Sequence, residues 1–197
     1  MDRERFQKQL SFILEVDKEK NILRQTHLSG YGRRENDAEH AWHMAIMIYL
    51  LKEYSNKEID VAKAMMMALI HDIVEIDAGD TYAYDTEQLA TQKEREARAA
   101  ERIFGMLPDD QCHELRALFD EFEICESAEA RFAKAMDNFQ PLLLNHSNGG
   151  ADWREHKVMK EKVVSRQQTS SLGSEEIWKY TEELINDNVG KGNILDS

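Results

Sequence analysis

Proline and glycine, the residues that most often interrupt helices, are scarce in this chain of 197 residues. Two prolines and nine glycines leave few positions at which the backbone has to turn. The hydrophobic fraction of 42% lies near the norm for globular proteins, and a chain of this length can bury most of its apolar surface. We therefore expect an all-α protein with a single domain over residues 1–197.

Cysteine is also rare, because Cys112 and Cys125 are the only two and they do not form a CxxC pair. No second pair is present to complete a thiolate metal site. This usage is typical of a protein in a reducing cytoplasm, which is the location we expect. The segment MDRERFQKQL at the start lacks the apolar stretch of a secretory signal, which agrees with that expectation.

Basic residues are fewer than acidic ones, 25 against 38, which gives a formal net charge of -13. A surface of this sign repels the phosphate backbone, so we expect no nucleic-acid partner. Long hydrophobic runs are lacking as well. Apolar segments such as Ala41–Leu51 and Ala64–Ile70 are far shorter than the roughly 20 residues that span a bilayer. We expect no membrane partner.

Apolar residues recur at helical spacing along most of the chain. An amphipathic first segment contains Phe6, Leu10, Ile13 and Leu14. Further helices are predicted at residues 37–54, 57–72, 86–105, 109–122, 128–144, 155–167 and 174–187. We interpret Asp37 as the N-cap of the helix at 37–54. In that helix Trp42 marks one apolar face, and His40 shares a neighbouring face with Met44.

Four side chains that can bind a divalent cation lie on three of these helices: His40, the pair His71 and Asp72, and Asp137. Two neutral imidazoles and two carboxylates nearly neutralise a dication and leave coordination positions for water and a phosphate oxygen. Asp137 interrupts an apolar run, where a carboxylate needs a cation or strong hydrogen bonds. The pattern predicts one divalent cation, and the ligand types suit Mn, Co, Fe, Ni, Zn or Mg.

Each of these residues also has a simpler interpretation. His40 fits an ordinary helix histidine, the pair His71 and Asp72 fits an ion pair at a helix end, and Asp137 fits a buried acid bonded to a helix N-terminus. His43, one turn from His40, is an alternative fifth ligand or a core histidine. The residues by themselves leave these interpretations open.

Three segments resemble the metal-site blocks of HD-domain metal-dependent phosphohydrolases. They are ENDAEHAWHMA at 35–45, ALIHDIVEIDAGDTYAYD at 68–85 and AKAMDNFQPLLLNH at 133–146. The resemblance covers about residues 6–165 and points to the branch of the bacterial 5′-deoxynucleotidases. It implies a compact multi-helix HD-domain bundle, a metal site between the central helices, and a homodimer. By the same resemblance His40, His71, Asp72 and Asp137 would be the metal ligands.

The resemblance also implies that Glu75 and Asp80, three and eight positions beyond Asp72, are catalytic acids. Glu75 lies one helical turn from Asp72 and would orient a metal-bound water for in-line attack on phosphorus. Asp80 would then protonate the leaving alkoxide. The substrate implied is a small phosphate ester, namely a nucleoside 5′-monophosphate.

Two other functions also fit these residues. The site would also suit hydrolysis of a larger nucleotide, such as a triphosphate or a signalling nucleotide, although the acidic surface disfavours a long anionic substrate. A non-catalytic metal-binding sensor module is the second alternative. A purely structural site would not need Glu75 and Asp80, and their presence favours the hydrolase.

Residues 24–36 carry two glycines and no periodic pattern, so we predict a basic loop there. Arg24, by its distance from His40, resembles the family arginine that contacts the substrate phosphate and sugar, and its bidentate donors suit a phosphate dianion. Arg33 would add positive potential at the mouth of the site, or is an ordinary exposed charge. Gln25 follows Arg24 where the deoxynucleotidases have a tryptophan that helps to exclude ribose. The sugar preference is therefore left open.

Overall fold

The computed structural model describes residues 1–79 and 86–196, together with their side chains except those of residues 86–91. The helices are α1 (Arg3–Val16), α2 (Asp37–Leu51), α3 (Val61–Ile70), α4 (Glu75–Ala78), α5 (Thr86–Phe104), α6 (Asp109–Ile124), α7 (Ala128–Ser147), α8 (Ala151–Glu155), α9 (Lys160–Gln167) and α10 (Glu175–Gly190). Short 3₁₀ helices cover Asp17–Asn21, Lys52–Tyr54 and Gln168–Leu172. The predicted all-α bundle is confirmed.

Helix α7 lies at the centre of the bundle and contacts α2, α3, α6 and α10. It is buried on most of its surface, with Phe132 and Met136 fully enclosed. Four polar residues of the same helix are buried as well, namely Asp137, Asn138, Gln140 and Asn145. Because buried polar groups are costly without partners, this helix is where a built polar site is expected. In the part of the chain that the structure describes, no helix is long and apolar enough to cross a membrane.

A second apolar cluster packs the turn after α3 against α5 and α6. Ile73 and Val74 of that turn are each 2% exposed and lie among Ile103, Phe104 and Phe119. The burial of these aliphatic side chains anchors the segment that carries His71 and Asp72.

Residues 24–36 do not form the loop that we predict from the sequence. Strands β1 (Leu23–His27) and β2 (Arg34–Asn36) pair in an antiparallel hairpin, with Leu23 opposite Asn36 and His27 opposite Arg34. The hairpin has an irregular register, and β2 is only three residues long. Such short strands leave no alternating pattern in the sequence, which is why the prediction is wrong.

The N-cap of α2 is Asn36 and not Asp37, so that prediction is wrong by one residue. Asn36 Oδ1 accepts a hydrogen bond from the Glu39 N–H at 3.0 Å, and the Glu39 carboxylate accepts one from the Asn36 N–H at 3.2 Å. This reciprocal pair is a capping box. Asp37 is the first helical residue and is fully buried, which leaves its carboxylate facing the protein interior.

Helix α2 buries the face that carries His40 and exposes a second apolar face beside it. His40 and Met44 are both 0% exposed, whereas Trp42 is 63% exposed. The outer surface is called here the α2 face, and it consists of Trp42, Ile46, Tyr49 and Leu50, all of them exposed. Hydrophobicity alone therefore does not indicate which side of α2 faces the core.

Candidate metal centre

The four residues predicted as metal ligands meet between α2, α7 and the turn after α3. His40 Nε2 lies 3.2 Å from Asp137 Oδ1 and 4.0 Å from Asp72 Oδ2. His71 Nε2 lies 3.1 Å from Asp72 Oδ2 and 3.7 Å from Asp137 Oδ1. All four side chains are buried, and His40, His71 and Asp72 each offer an atom within 4.8 Å of the others. Asp137 belongs to the same cluster, because its Oδ1 faces the imidazoles of both His40 and His71.

A helix end and an apolar anchor together position His71 and Asp72. The His71 N–H donates to the carbonyl of Met67 at 3.1 Å, so the residue continues the hydrogen bonding of α3. The next residues leave the helix, and Ile73 and Val74 enter the second apolar cluster. With α3 on one side and buried aliphatic groups on the other, the two polar side chains are held in place between them.

The hydrogen bonding of His71 identifies the tautomer of its neutral form. Its Nδ1 lies 2.8 Å from the carbonyl oxygen of Ala68, which can only accept a hydrogen bond, so Nδ1 carries the proton. Nε2 then faces two carboxylates with a lone pair. In this neutral form the nitrogen is buried and no hydrogen-bond donor of the described residues faces it. Two imidazole nitrogens and two carboxylates facing one another are a donor set that a divalent cation fits.

The charges of the cluster also favour a bound cation. Burial, assisted by the positive charge of Arg24, lowers the pKa of His40 to about 4. Burial also opposes a charge on His71, but the carboxylates of Asp72 and Asp137 outweigh it and raise the pKa of His71 to about 10. Without a metal the imidazolium of His71 supplies the positive charge that the two carboxylates require. A cation bound by all four residues would replace that proton.

Lys134 adds a fixed positive charge on the opposite side of Asp137. Its Nζ lies 3.1 Å from Asp137 Oδ2 and 4.5 Å from the ring centre of Phe122. Burial raises the pKa of a carboxyl group, but Lys134 and the two histidines hold the pKa of Asp137 well below its ordinary value. Asp137 is therefore an anion, as a metal ligand has to be.

Glu75 and Asp80, the predicted catalytic acids, differ in what the structure shows of them. Glu75 is the first residue of α4 and is buried. Its N–H donates to the carbonyl of Asp72 at 2.8 Å, so the two residues are one turn apart. Asp80 lies outside the described residues. Their catalytic roles remain predictions.

The hairpin brings Arg24, but not Arg33, to the four buried residues. Arg24 donates to Asp72 Oδ2 at 2.6 Å and to Asp37 Oδ1 at 3.1 Å, and its side chain is 11% exposed. Arg33 is 58% exposed and pairs with both carboxylate oxygens of Glu39 at the surface. Of the two predicted substrate contacts, Arg24 alone lies against a candidate ligand.

Sequence reasoning missed buried acids around this cluster. Glu19, Glu35 and Asp37 are at most 3% exposed. Burial, and then the charge of Asp72, raises the pKa of Glu19 to about 8. Glu35 and Asp37 lie at the start of the block that contains His40, which was a usable signal. Glu19 belongs to a charged run that resembles any exposed helix end, so nothing local distinguishes it.

The chain is similar to a known protein family and to a solved structure. The family model described as the HD domain matches residues 16–178. A solved structure described as a predicted metal-dependent phosphohydrolase from Magnetospirillum magnetotacticum is 46% identical in sequence. Its TM-score is 0.92, and the match covers 97% of this chain and 96% of that one.

Curated relatives are matched over shorter segments. The human 5′-deoxynucleotidase HDDC2 is 32% identical over 111 residues, which are 56% of this chain and 53% of that protein. A 5′-deoxynucleotidase of Yersinia pestis is 25% identical over 150 residues, which are 71% of this chain and 76% of that protein. The chain thus spans about half the length of the human relative.

Proposed function

The chain belongs to the HD-domain family, and on that premise we propose that it is a metal-dependent phosphohydrolase that releases phosphate from nucleoside 5′-monophosphates. One observation carries the proposal: His40, His71, Asp72 and Asp137 converge in a buried cluster of two imidazoles and two carboxylates. Arg24 lies against that cluster, so a group suited to phosphate adjoins a group suited to a metal.

One divalent cation is the cofactor that these residues would hold. When bound, such a cation lowers the pKa of water and polarises a phosphoryl oxygen. Four protein ligands leave coordination positions for water and substrate, as a catalytic site requires. The mixed nitrogen and oxygen set suits Mn, Co, Fe, Ni, Zn or Mg, and a binding series with these metals distinguishes them.

The protein's own residues would then divide the proton transfers and the binding of the phosphate. Glu75, one turn from Asp72, takes a proton from the attacking water at its carboxylate. Asp80 gives a proton to the alkoxide that leaves. Arg24 holds the phosphate from the hairpin side, and Arg33 attracts the anionic substrate from the surface.

Two properties of the chain support a small nucleotide as the substrate. The relatives named above are 5′-deoxynucleotidases, and the net charge of -13 disfavours binding to a nucleic-acid strand. Gln25 stands where the deoxynucleotidases have the tryptophan that helps to exclude ribose. We therefore expect ribonucleotides to be hydrolysed along with deoxyribonucleotides.

The α2 face supports the homodimer that we expect. Four large apolar side chains on one exposed helix surface are typical of an interaction site. The segment Phe139–Leu144, which is also apolar, lies largely in the core and does not offer such a surface. Light scattering on the wild-type protein and on Trp42→Glu tests this proposal. A dimer that the substitution dissociates supports it, and a wild-type monomer contradicts it.

The proposed location is the cytoplasm. Cys112 and Cys125 are both free thiols, a state that a reducing compartment maintains. Fractionation of cells that produce the protein tests the location, and recovery from an oxidising compartment would contradict it.

Phosphate release is the experiment that tests the activity. Chelator-stripped protein is incubated with Mn²⁺, Co²⁺ or Mg²⁺ and a panel of ribo- and deoxyribonucleoside 5′-monophosphates. We expect metal-dependent release that Asp72→Ala abolishes. Asp187→Ala is the matched control, because Asp187 is 43% exposed in α10 and its carboxylate pairs with Lys191. Release that persists in Asp72→Ala, or no release with any metal, would contradict the proposal.

A further inference from the structure

Gln140 and Glu35 form a buried hydrogen-bond chain on the side of His40 that faces away from the carboxylates. Gln140 Oε1 lies 3.0 Å from His40 Nδ1. Gln140 Nε2 lies 2.7 Å from Glu35 Oε1 and 3.1 Å from His43 Nδ1. Gln140 and His40 are 0% exposed and Glu35 is 1% exposed. The chain is thus shielded from solvent.

The chemistry of these groups determines which way the Gln140 amide points. An amide nitrogen only donates, and in the structure the Gln140 nitrogen faces two atoms that can accept, Glu35 Oε1 at 2.7 Å and His43 Nδ1 at 3.1 Å. The amide oxygen therefore faces His40 Nδ1, and because an oxygen of this kind only accepts, Nδ1 carries the proton. His40 Nε2 is left with its lone pair, 3.2 Å from Asp137 Oδ1.

We infer that Gln140 and Glu35 are positioning residues that hold His40 in the tautomer whose Nε2 can bind a metal. This inference rests on the proposed function, since it assigns a purpose to the orientation of a proposed ligand. Neither residue touches the substrate in this account. They act through the imidazole of His40, as hydrogen-bond partners outside the ligand shell do in other metal sites.

In the opposite tautomer, His40 and Asp137 would bond to each other and would not need a metal. With the proton on Nε2, His40 would donate a hydrogen bond to Asp137 Oδ1 across the present 3.2 Å. Both groups would then be satisfied without a cation, and a metal would have to break that bond. The chain from Glu35 through Gln140 disfavours this state, because Nδ1 would lose its proton while facing an acceptor oxygen.

Helix α7 supplies a partner for each nitrogen of the His40 imidazole. Asp137 and Gln140 are three positions apart, so they lie on the same side of the helix. Asp137 approaches Nε2 at 3.2 Å and Gln140 approaches Nδ1 at 3.0 Å. One rigid helix thus orients His40 Nε2, the proposed ligand atom, and holds the proton on Nδ1 at the opposite side of the ring.

The direct test is the tautomer of His40 in metal-free protein, measured by long-range ¹H–¹⁵N NMR on histidine-labelled samples. We expect a proton on Nδ1 in the wild-type protein. Gln140→Leu removes the acceptor, and we expect the proton to move to Nε2. Glu35→Gln lets the Gln140 amide rotate, and we expect a mixture of tautomers. Gln167→Leu is the matched control, because Gln167 is a buried glutamine that bonds the carbonyl of Asn138 and not His40.

Calorimetric titration with Co²⁺ gives a second readout that does not depend on activity. We expect Gln140→Leu to weaken Co²⁺ binding by roughly 10–100-fold, with Gln167→Leu unchanged. The double variant Glu35→Gln with Gln140→Glu exchanges the two groups and restores an acceptor facing His40 Nδ1. We expect this exchange to recover most of the lost affinity, which a merely structural role of Gln140 would not predict.

The outcomes separate this inference from the proposed function. A His40 that keeps its Nδ1 proton in both Gln140→Leu and Glu35→Gln overturns the inference, even if the enzyme is active. A wild-type protein that binds no Co²⁺ overturns the proposed function, while the NMR experiment still decides the tautomer. Should Gln140→Leu not fold, Glu35→Gln with its intact α7 decides the question.

Discussion

His40 and His71 present Nε2 to the same two carboxylates, yet different groups hold their Nδ1 atoms. A backbone carbonyl three residues away holds His71. The side chain of Gln140, which is 100 residues away in sequence, holds His40. The pKa values differ as well, with His40 lowered to about 4 and His71 raised to about 10. One half of the centre depends on local backbone geometry and the other on distant side chains.

This difference indicates how each half responds to change. Substitutions near His71 leave its carbonyl partner in place, because every residue type carries a backbone carbonyl. Substitution of Gln140, in contrast, removes the hydrogen-bond partner of His40 Nδ1. The half formed by α2 and α7 is therefore expected to be the more sensitive one. In the proposed metal centre, the half formed by the turn after α3 would exchange a proton for a metal.

Replacing Asp137, the carboxylate that α7 contributes beside His40, is expected to have the largest effect on metal affinity. Asp137→Asn keeps the shape of the side chain but removes the charge that faces Lys134 and both histidines. Loss of one partner in a buried charged cluster costs about 3–5 kcal/mol, so Co²⁺ affinity should fall by at least about 100-fold. Calorimetry measures the affinity. Asp152→Asn is the control, since Asp152 is equally buried but pairs with His27; equal losses in the two variants would contradict the assignment.

The pH dependence of metal binding distinguishes the two histidines. Below its pKa of about 10 His71 is protonated, and a metal has to displace that proton, whereas His40 is already neutral above about pH 4. Co²⁺ affinity should therefore rise about tenfold for each pH unit between pH 6 and 9, with about one proton released. Titrations in buffers of different ionisation enthalpy count the protons. Release of none would show that His71 is neutral in the metal-free protein.

The two arginines of the hairpin provide the next comparison. Arg24 lies against Asp72 and Arg33 lies at the surface. Removing charge-assisted hydrogen bonds to phosphate costs about 1.5–3 kcal/mol, so Arg24→Ala should raise KM by roughly 10–100-fold. Arg33→Ala should change KM by less than about fivefold, because exposed charges contribute little. Steady-state kinetics at physiological salt measures both, and a larger effect from Arg33 would reverse the proposed roles.

The smallest predicted effect concerns Glu19, whose pKa is raised to about 8 by burial. A raised carboxyl pKa favours the folded state at low pH, and this contribution is lost as pH rises from about 4.5 to about 8. Glu19→Gln removes the charge, so it should stabilise metal-free protein at pH 8 by on the order of 2 kcal/mol and change little at pH 5. Thermal unfolding at both values measures this. Glu182→Gln, at an exposed position of α10, should show no such dependence, and a Glu19→Gln variant that behaves the same way would contradict the account.

The sequence predicted the helices and singled out four residues that meet in the structure, namely His40, His71, Asp72 and Asp137. The reasons can be traced to particular positions. Helical periodicity identifies the central elements, and Asp137 is conspicuous as an acid in an apolar run. The contact between Glu35 and Gln140 joins residues 105 positions apart, and no local pattern encodes such a pair. The exposure of Trp42 was not predictable for a related reason, since a large apolar side chain on a helix does not show whether a second surface covers it.

The central claim is that one cation binds among His40, His71, Asp72 and Asp137. A crystal grown with Mn²⁺ and measured at a wavelength where manganese scatters anomalously tests it most directly. We predict one strong anomalous peak within coordination distance of all four side chains. A peak at another place, or no peak at a saturating Mn²⁺ concentration, would contradict the account.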